Sequence, residues 1–92
     1  MLYHVVLLAL KDTERHELDS LVADLRALSR LPMVIRLAAG AALTEATFDI
    51  ALVVELAGSD ALADYRAHPD HQPVLARIAS ICRSVQAVDF TP

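Results

Sequence analysis

The feature that most constrains the fold of this sequence is its opening segment, Leu2–Leu10, which is apolar on both faces of a strand. The segment is rich in β-branched and aliphatic residues and ends at a Lys-Asp-Thr turn, a pattern that predicts a strand rather than a helix. Because side chains alternate across a strand, one face would carry His4, Val6, Leu8 and Leu10, and the other Tyr3, Val5, Leu7 and Ala9. A strand with one face in water normally alternates apolar with polar residues, so we expect both faces to be covered.

The composition indicates that a second protein chain covers one of those faces. The chain has 92 residues, of which 55% are apolar, although a domain of this size buries only about 60% of the surface of its unfolded chain. A membrane-spanning helix needs about 20 consecutive apolar residues, and the longest clean run, Val5–Leu10, is far shorter. Tyr3 and His4 interrupt the apolar start, which argues against a secretory signal. We therefore expect a soluble homodimer with no membrane partner.

Charge and cysteine content exclude further classes of protein. The formal net charge is −4 and no basic stripe runs along the chain, so nucleic-acid binding has no electrostatic support. The single cysteine, Cys82, cannot form an internal disulfide, which is typical of a cytoplasmic protein.

Helical spacing of apolar residues predicts three helices. The first begins at Asp12 or Thr13, either of which can cap it, and ends before Pro32. The second follows Ser59 and the third follows Asp70, both of them candidate N-caps.

Together with three further strands, these helices give the order β-α-β-β-α-α-β in one domain, residues 1–92. The further strands are predicted at Met33–Leu43, Phe48–Leu56 and Cys82–Phe90, with Gly40 marking a bulge or the approach of a turn. This order is typical of a ferredoxin-like α+β fold with an antiparallel sheet. Helices cover one face of such a sheet, so we expect the partner chain on the other, which would carry Val5, Leu7, Ala51 and Val53.

The candidate site combines His4 with the segment Tyr65–His71. A histidine with a pKa near 6.5 exchanges protons at neutral pH, and a tyrosine hydroxyl can orient a substrate oxygen. If the His4 face of the first strand points toward the helices, His4 looks into a gap bordered by Tyr65 and His71. An apolar pocket with a few polar groups is the usual form of a small-molecule site.

Structural interpretations of these residues remain open beside the functional one. His4 can be a hydrogen-bonded core residue, and His68 can bond the local backbone where the second helix ends. The spacing His68-x-x-His71 is weak evidence for a metal because a proline separates the two residues and no cysteine is near. We therefore expect no metal and no cofactor. Cys82 is interpreted as an apolar core residue and Arg77 as solvated.

Four stretches of the chain together resemble the stress-responsive A/B barrel (Dabb) family. They span nearly the whole chain in the right order, and the Tyr-x-x-His-Pro-x-His segment is the most specific. The stretches are Tyr3–Leu8, Phe48–Glu55, Asp64–His71 and Val88–Phe90. The resemblance implies a dimeric α+β barrel.

The resemblance also implies a chemistry for the candidate residues. The best-understood relative type is the polyketide cyclase of the olivetolic acid cyclase kind, which closes a linear polyketide by an aldol step without a cofactor. By position, His71 resembles its general base and Tyr65 its assisting tyrosine, with His4 on the pocket wall. The implied substrate-binding lining consists of Val6, Leu8, Leu52, Val54, Leu62 and Val74.

This chain departs from that relative type in two places. The first helix is about two residues shorter, so that the pocket tyrosine of the cyclase falls near Asp24, and the loop before Phe48 is also shorter. The acid–base pair can persist while the substrate pocket differs.

Two classes of function follow. In the first, the protein is a cofactor-free enzyme of the cyclase, isomerase or lyase type that acts on a small apolar carbonyl or polyketide-like compound; a cofactor-independent monooxygenase is a variant by analogy of fold. In the second, it is a non-catalytic dimeric module that binds a small apolar ligand or another protein.

Overall fold

Leu2–Leu10 forms a central strand, as its two apolar faces predict. The computed structural model describes every residue from Met1 to Pro92. Its elements are β1 (Leu2–Leu10), α1 (Leu18–Ala27), β2 (Arg36–Ala41), β3 (Ile50–Leu56), α2 (Ser59–Ala67), α3 (Gln72–Ile81) and β4 (Cys82–Phe90). All neighbouring strands are antiparallel, in the order β2-β3-β1-β4. The predicted ferredoxin-like α+β fold is confirmed.

The strand register assigns each side chain of β1 to one face of the sheet. His4 pairs with Val54 of β3 and with Asp89 of β4, and these residues lie on the helix-covered face. Below the helices, the sheet buries an apolar layer that includes Leu2, Val6, Leu8, Leu10, Ile50, Leu52, Val54 and Leu56. The predicted alternation of β1 and β3 is therefore confirmed on this face.

The helices complete the core with the apolar stripes that their spacing predicts. Leu21, Val22 and Leu25 of α1 are buried, as are Leu62 of α2 and Val74 of α3. At about 25 cal/mol per Å² of apolar surface, a fully buried leucine contributes roughly 2 kcal/mol. No helix in the structure combines the length and the apolar character that crossing a membrane requires.

Two strands are shorter than predicted because strand pairing, rather than composition, sets their ends. The Met33–Leu43 prediction contracts to Arg36–Ala41, and the Phe48–Leu56 prediction contracts to Ile50–Leu56. Gly40 lies one residue before the end of β2 in an unbroken register, so it marks the approach of the turn and not a bulge. The irregularity of the sheet lies instead between β1 and β4, where Ala9 pairs with Ser84 and Leu10 pairs with Cys82.

The predicted N-caps are wrong in all three helices. The residues from Asp12 to Glu17 form a tight 3-10 turn that precedes α1, and no side chain caps it. Gly58 and His71 occupy the capping positions of α2 and α3, again without a side-chain cap bond. Capping preferences are worth only about 1 kcal/mol, which tertiary packing readily overrides.

The second face of the sheet carries no helix and is largely apolar. Its side chains include Tyr3, Val5 and Leu7, which are partly buried, and Val53, which is 36% exposed. Phe90 stacks on Tyr3 with ring centroids 5.4 Å apart. Val88 is 63% exposed and Phe90 47%. An exposed apolar area of this kind is typical of a protein interface.

Candidate active site

An apolar cavity of about 270 Å³ lies between the sheet and the helices. Three nitrogen-bearing side chains, those of His4, Arg66 and His71, are its polar lining, and no carboxylate is among the lining residues. The apolar wall consists of Val6, Leu25, Leu52, Leu75, Ile78, Val85 and Ala87. An apolar cavity with a few convergent polar groups has the form of a small-molecule site.

His4 is held by a carboxylate on the neighbouring strand. It is 7% exposed, and its Nδ1 atom lies 2.5 Å from Oδ1 of Asp89. An ionised carboxylate only accepts hydrogen bonds, so Nδ1 of His4 donates, and in the neutral ring Nε2 then carries the free lone pair. The other oxygen, Oδ2 of Asp89, accepts a hydrogen bond from Nη2 of Arg66 at 2.9 Å. The chain Arg66–Asp89–His4 thus orients the imidazole.

His71 is positioned by the turn between α2 and α3. It occupies the N-terminal capping position of α3, and its buried ring donates from Nδ1 to the carbonyl oxygen of Arg66 at 3.4 Å. Burial lowers the pKa of His71 below 6.5, and the nearby charges of His4, Arg66 and His68 act in the same direction, although the hydrogen bond to the Arg66 carbonyl opposes them. His71 is therefore neutral at pH 7, and its Nε2 atom can accept a proton.

Tyr65 connects the two histidines but does not line the cavity. Its fully buried ring packs against His71, with centroids 4.5 Å apart, and edge-on against His4, with centroids 5.8 Å apart. Burial raises the pKa of Tyr65 to about 12, so its hydroxyl remains protonated and can donate. That hydroxyl has no hydrogen-bond partner. It is the only buried side-chain nitrogen or oxygen atom in the chain that lacks one.

The structure thus brings His4, Tyr65 and His71 together, but it separates the expected lining residues. Val6 and Leu52 lie on the cavity wall. Leu8 and Val54 have no exposed surface and belong to the hydrophobic core. Leu62 of α2 is also a core residue. Val74 faces a different cleft. Strand alternation places all of the strand residues on the correct face, but it cannot indicate which of them lie where the helices leave space.

Two participants could not be named from the sequence. Asp89 and Arg66 carry no signal of their own, because one lies in the last strand and the other in the last turn of α2. Asp89 is brought to His4 by the register of β4 on β1, which pairs the two residues.

His68 lies outside the cavity and stabilises the turn after α2. Its Nδ1 atom accepts a hydrogen bond from the backbone N–H of Asp70 at 3.1 Å, which confirms the expected backbone role. It lines a separate cleft of about 490 Å³ between the end of α1 and the start of α3. The ligand atoms of Glu14, His16 and Glu17 lie within 4.8 Å of one another, but this group is at the surface in the turn before α1.

Comparison with known proteins assigns the chain to a family. The family model of the stress responsive A/B barrel domain, Dabb, matches residues 2–92. The chain belongs to the Dabb family. The earlier resemblance, based on four stretches of sequence, is confirmed over almost the whole length of this Dabb domain.

Solved structures agree with this assignment. A dimeric ferredoxin-like protein of unknown function from Thermobifida fusca is 32% identical to this Dabb domain, with a TM-score of 0.87 over 99% of this chain and 90% of that one. The hydroxynitrile lyase from Passiflora edulis is 15% identical, with a TM-score of 0.83 over 97% and 90% of the two chains. An antibiotic biosynthesis monooxygenase is 14% identical, with a TM-score of 0.80 over 100% and 98%. At 15% and 14% identity, the lyase and the monooxygenase show only that this chain shares their fold. No curated protein matches the chain significantly.

Proposed function

We propose that this Dabb domain is a cofactor-free enzyme that removes a proton beside the carbonyl group of a small apolar compound. The observation that carries the proposal is a tyrosine whose ring packs against two imidazole rings beside an apolar cavity and whose hydroxyl is buried without a partner. A buried polar group without a partner costs free energy in the folded protein. Such a cost is typical of a functional site, where a substrate oxygen supplies the missing acceptor.

The proposed step uses His71 as the general base. Nε2 of neutral His71 takes the proton from the carbon next to the carbonyl, the electron pair of that C–H bond moves toward the carbonyl oxygen, and an enolate forms. Tyr65, which remains protonated, donates a hydrogen bond to the enolate oxygen and so stabilises the developing charge. In the free protein the Tyr65 hydroxyl is buried and lies outside the cavity lining, so this hydrogen bond requires a side chain to move when the substrate binds.

The enolate can then follow either of two routes. When its carbon attacks a second carbonyl of the same molecule, a C–C bond forms, the new alkoxide takes the proton back from His71, and the result is the aldol cyclisation of a polyketide-like chain. When the proton returns to a different carbon, the result is an isomerisation. The fold shared with a hydroxynitrile lyase supports acid–base chemistry only at the level of architecture.

An exchange experiment tests the base without knowledge of the natural product. Phenylacetone in D₂O loses the protons next to its carbonyl slowly, and we expect the protein to accelerate this exchange as followed by NMR. His71→Ala should reduce the acceleration by about 10²–10⁴-fold, the usual contribution of a general base. Since the pKa of His71 is lowered, the rate should be constant above about pH 6.5 and fall only as the pH drops through that lowered pKa.

The matched control is His16→Ala, because the His16 side chain is 70% exposed in the turn before α1. This control should exchange phenylacetone at the wild-type rate. An acceleration that survives His71→Ala in a protein with an unchanged melting temperature would contradict the role of His71. If phenylacetone shifts the His71 ring signals but the wild-type protein does not accelerate exchange, the protein is instead a ligand-binding module.

We also propose that the working unit is a homodimer joined through the uncovered face of the sheet. The Thermobifida fusca relative is described as dimeric. In this chain, the uncovered face carries exposed Val53, Val88 and Phe90, which a second copy would remove from water.

A further inference from the structure

The cavity of the proposed active site differs in charge from the rest of the molecule. The chain carries a formal net charge of −4, yet the cavity lining contains an arginine and two histidines and no acidic residue. Asp89, the nearest acidic partner of these groups, uses one carboxylate oxygen for His4 and the other for Arg66 and is not part of the lining. Arg66 therefore places a positive charge at the cavity of an acidic protein.

Arg66 is the strongest hydrogen-bond donor in the cavity lining. An arginine side chain has five N–H donors and no acceptor. The backbone carbonyl oxygen of Arg66, a nearby acceptor, already receives hydrogen bonds from Nδ1 of His71 and from Nε2 of Gln72, at 3.4 and 2.8 Å. A ligand group with acceptor oxygens therefore finds several N–H donors on Arg66.

Arg66 has donors to spare for such a group. Only its Nη2 atom is engaged, by Oδ2 of Asp89 at 2.9 Å, and its side chain, which is part of the cavity lining, is 54% exposed. The planar guanidinium binds carboxylates with two parallel hydrogen bonds. Arg66 can therefore hold Asp89 on one side and a ligand carboxylate on another.

The volume of the cavity limits the size of that ligand. A dry cavity of about 150 Å³ accommodates benzene, so about 270 Å³ accommodates one ring or branched chain with a short tail. From charge, donors and size together, we propose that Arg66 makes this site selective for small apolar carboxylic acids, bound as carboxylates. This inference rests on the proposed function for the use of the cavity, but the selectivity is measured by binding alone.

Two probes of nearly equal shape test the proposal. Phenylacetate carries a carboxylate where phenylacetamide carries a neutral amide with two donors, and their dissociation constants are measured at pH 7 by NMR titration of the His71 ring signals. We expect phenylacetate to bind about tenfold more tightly, as a charge-assisted hydrogen bond provides. Arg66→Gln should abolish this preference, and Arg66→Lys should retain part of it. Arg30→Gln, which changes the net charge equally but lies outside the cavity, should leave the preference unchanged.

The outcomes separate this inference from the proposed function. Equal binding of the two probes, binding of neither, or a preference that survives Arg66→Gln overturns the selectivity, whatever the exchange experiment shows. If the wild-type protein does not accelerate the exchange of phenylacetone but still prefers phenylacetate, only the proposed catalysis is overturned. If Arg66→Gln does not fold, salt provides the second measurement, because the preference of the wild-type protein must weaken as ionic strength rises.

Discussion

Tyr65 differs from an ordinary core residue because its ring is well packed while its hydroxyl is unsatisfied. The ring contacts His4 and His71, which contributes packing, but the hydroxyl has given up its hydrogen bonds to water without a replacement. The same burial raises the pKa of Tyr65 to about 12. This residue therefore couples the stability of the free protein to the proposed binding of a substrate oxygen.

We expect Tyr65→Phe to stabilise the free protein by about 1 kcal/mol, because it removes a buried donor that has no partner and keeps the ring. The midpoint of urea denaturation measures this change. Binding and exchange of phenylacetone should weaken in the same variant, since the donor to the substrate oxygen is lost. Tyr65→Leu is the control, because it removes the ring as well and should destabilise. A Tyr65→Phe variant less stable than wild type would mean that the hydroxyl has a partner in solution.

At the scale of elements, buried and partly buried charges tie together segments that are distant in the chain. Arg77 of α3 forms ion pairs with Asp24 of α1 and with Glu17, each at 2.5 Å, and also contacts Ser20. The prediction that Arg77 is solvated is wrong: its side chain is only 24% exposed, and it fastens α3 to α1. These contacts fall between turns of two different helices, which local sequence does not reveal.

Asp49 performs a similar role between strands. Its Oδ2 atom accepts a hydrogen bond from the backbone N–H of Leu10 at 2.7 Å, and its Oδ1 atom one from Nη2 of Arg15 at 3.1 Å. Burial by itself would raise the pKa of Asp49, but these two bonds and the charges of Arg15 and Arg83 outweigh it, so the pKa lies below 3.8. The carboxylate fixes the start of β3 against the end of β1.

We expect Asp49→Ala to destabilise the fold by about 2 kcal/mol, the range for hydrogen bonds to a charged group. Asp49→Asn keeps one acceptor oxygen and should cost less. Because the folded pKa is lowered, the contribution is complete above the unfolded value and disappears as the pH falls through the folded value. Urea denaturation of the three proteins at pH 7 and below pH 3 measures both effects. Equal loss of stability at the two pH values would contradict the role of the charge.

At the scale of the whole molecule, the uncovered sheet face leaves apolar side chains such as Val53, Val88 and Phe90 in water. We expect static light scattering at micromolar concentration to give about twice the chain mass of 10.0 kDa. Val53→Asp should separate the dimer and lower its melting temperature, because it places an unpaired charge in the interface. Leu43→Asp is the matched control, since Leu43 is fully exposed in the loop between β2 and β3. A stable wild-type monomer at that concentration would contradict the proposed assembly.

The sequence by itself determined the elements and the faces of the sheet. The alternation in Leu2–Leu10 and Phe48–Leu56 has a period of two residues and depends only on backbone geometry, so it predicted the helix-covered layer correctly. The order of strands and helices then restricted the topology to a ferredoxin-like arrangement. The grouping of His4, Tyr65 and His71 also followed from strand parity and from resemblance.

Only the tertiary structure decided which residues surround those three. Asp89 reaches His4 across 85 positions of sequence, and that contact depends on the register of β4, which the packing of the whole sheet determines. The cavity wall includes Leu25, Leu75 and Ile78, where the helices leave space, while Val54 fills the core instead. Alternation is a local property of the chain, but a cavity is the space left after all elements have packed, so no single segment of sequence contains it.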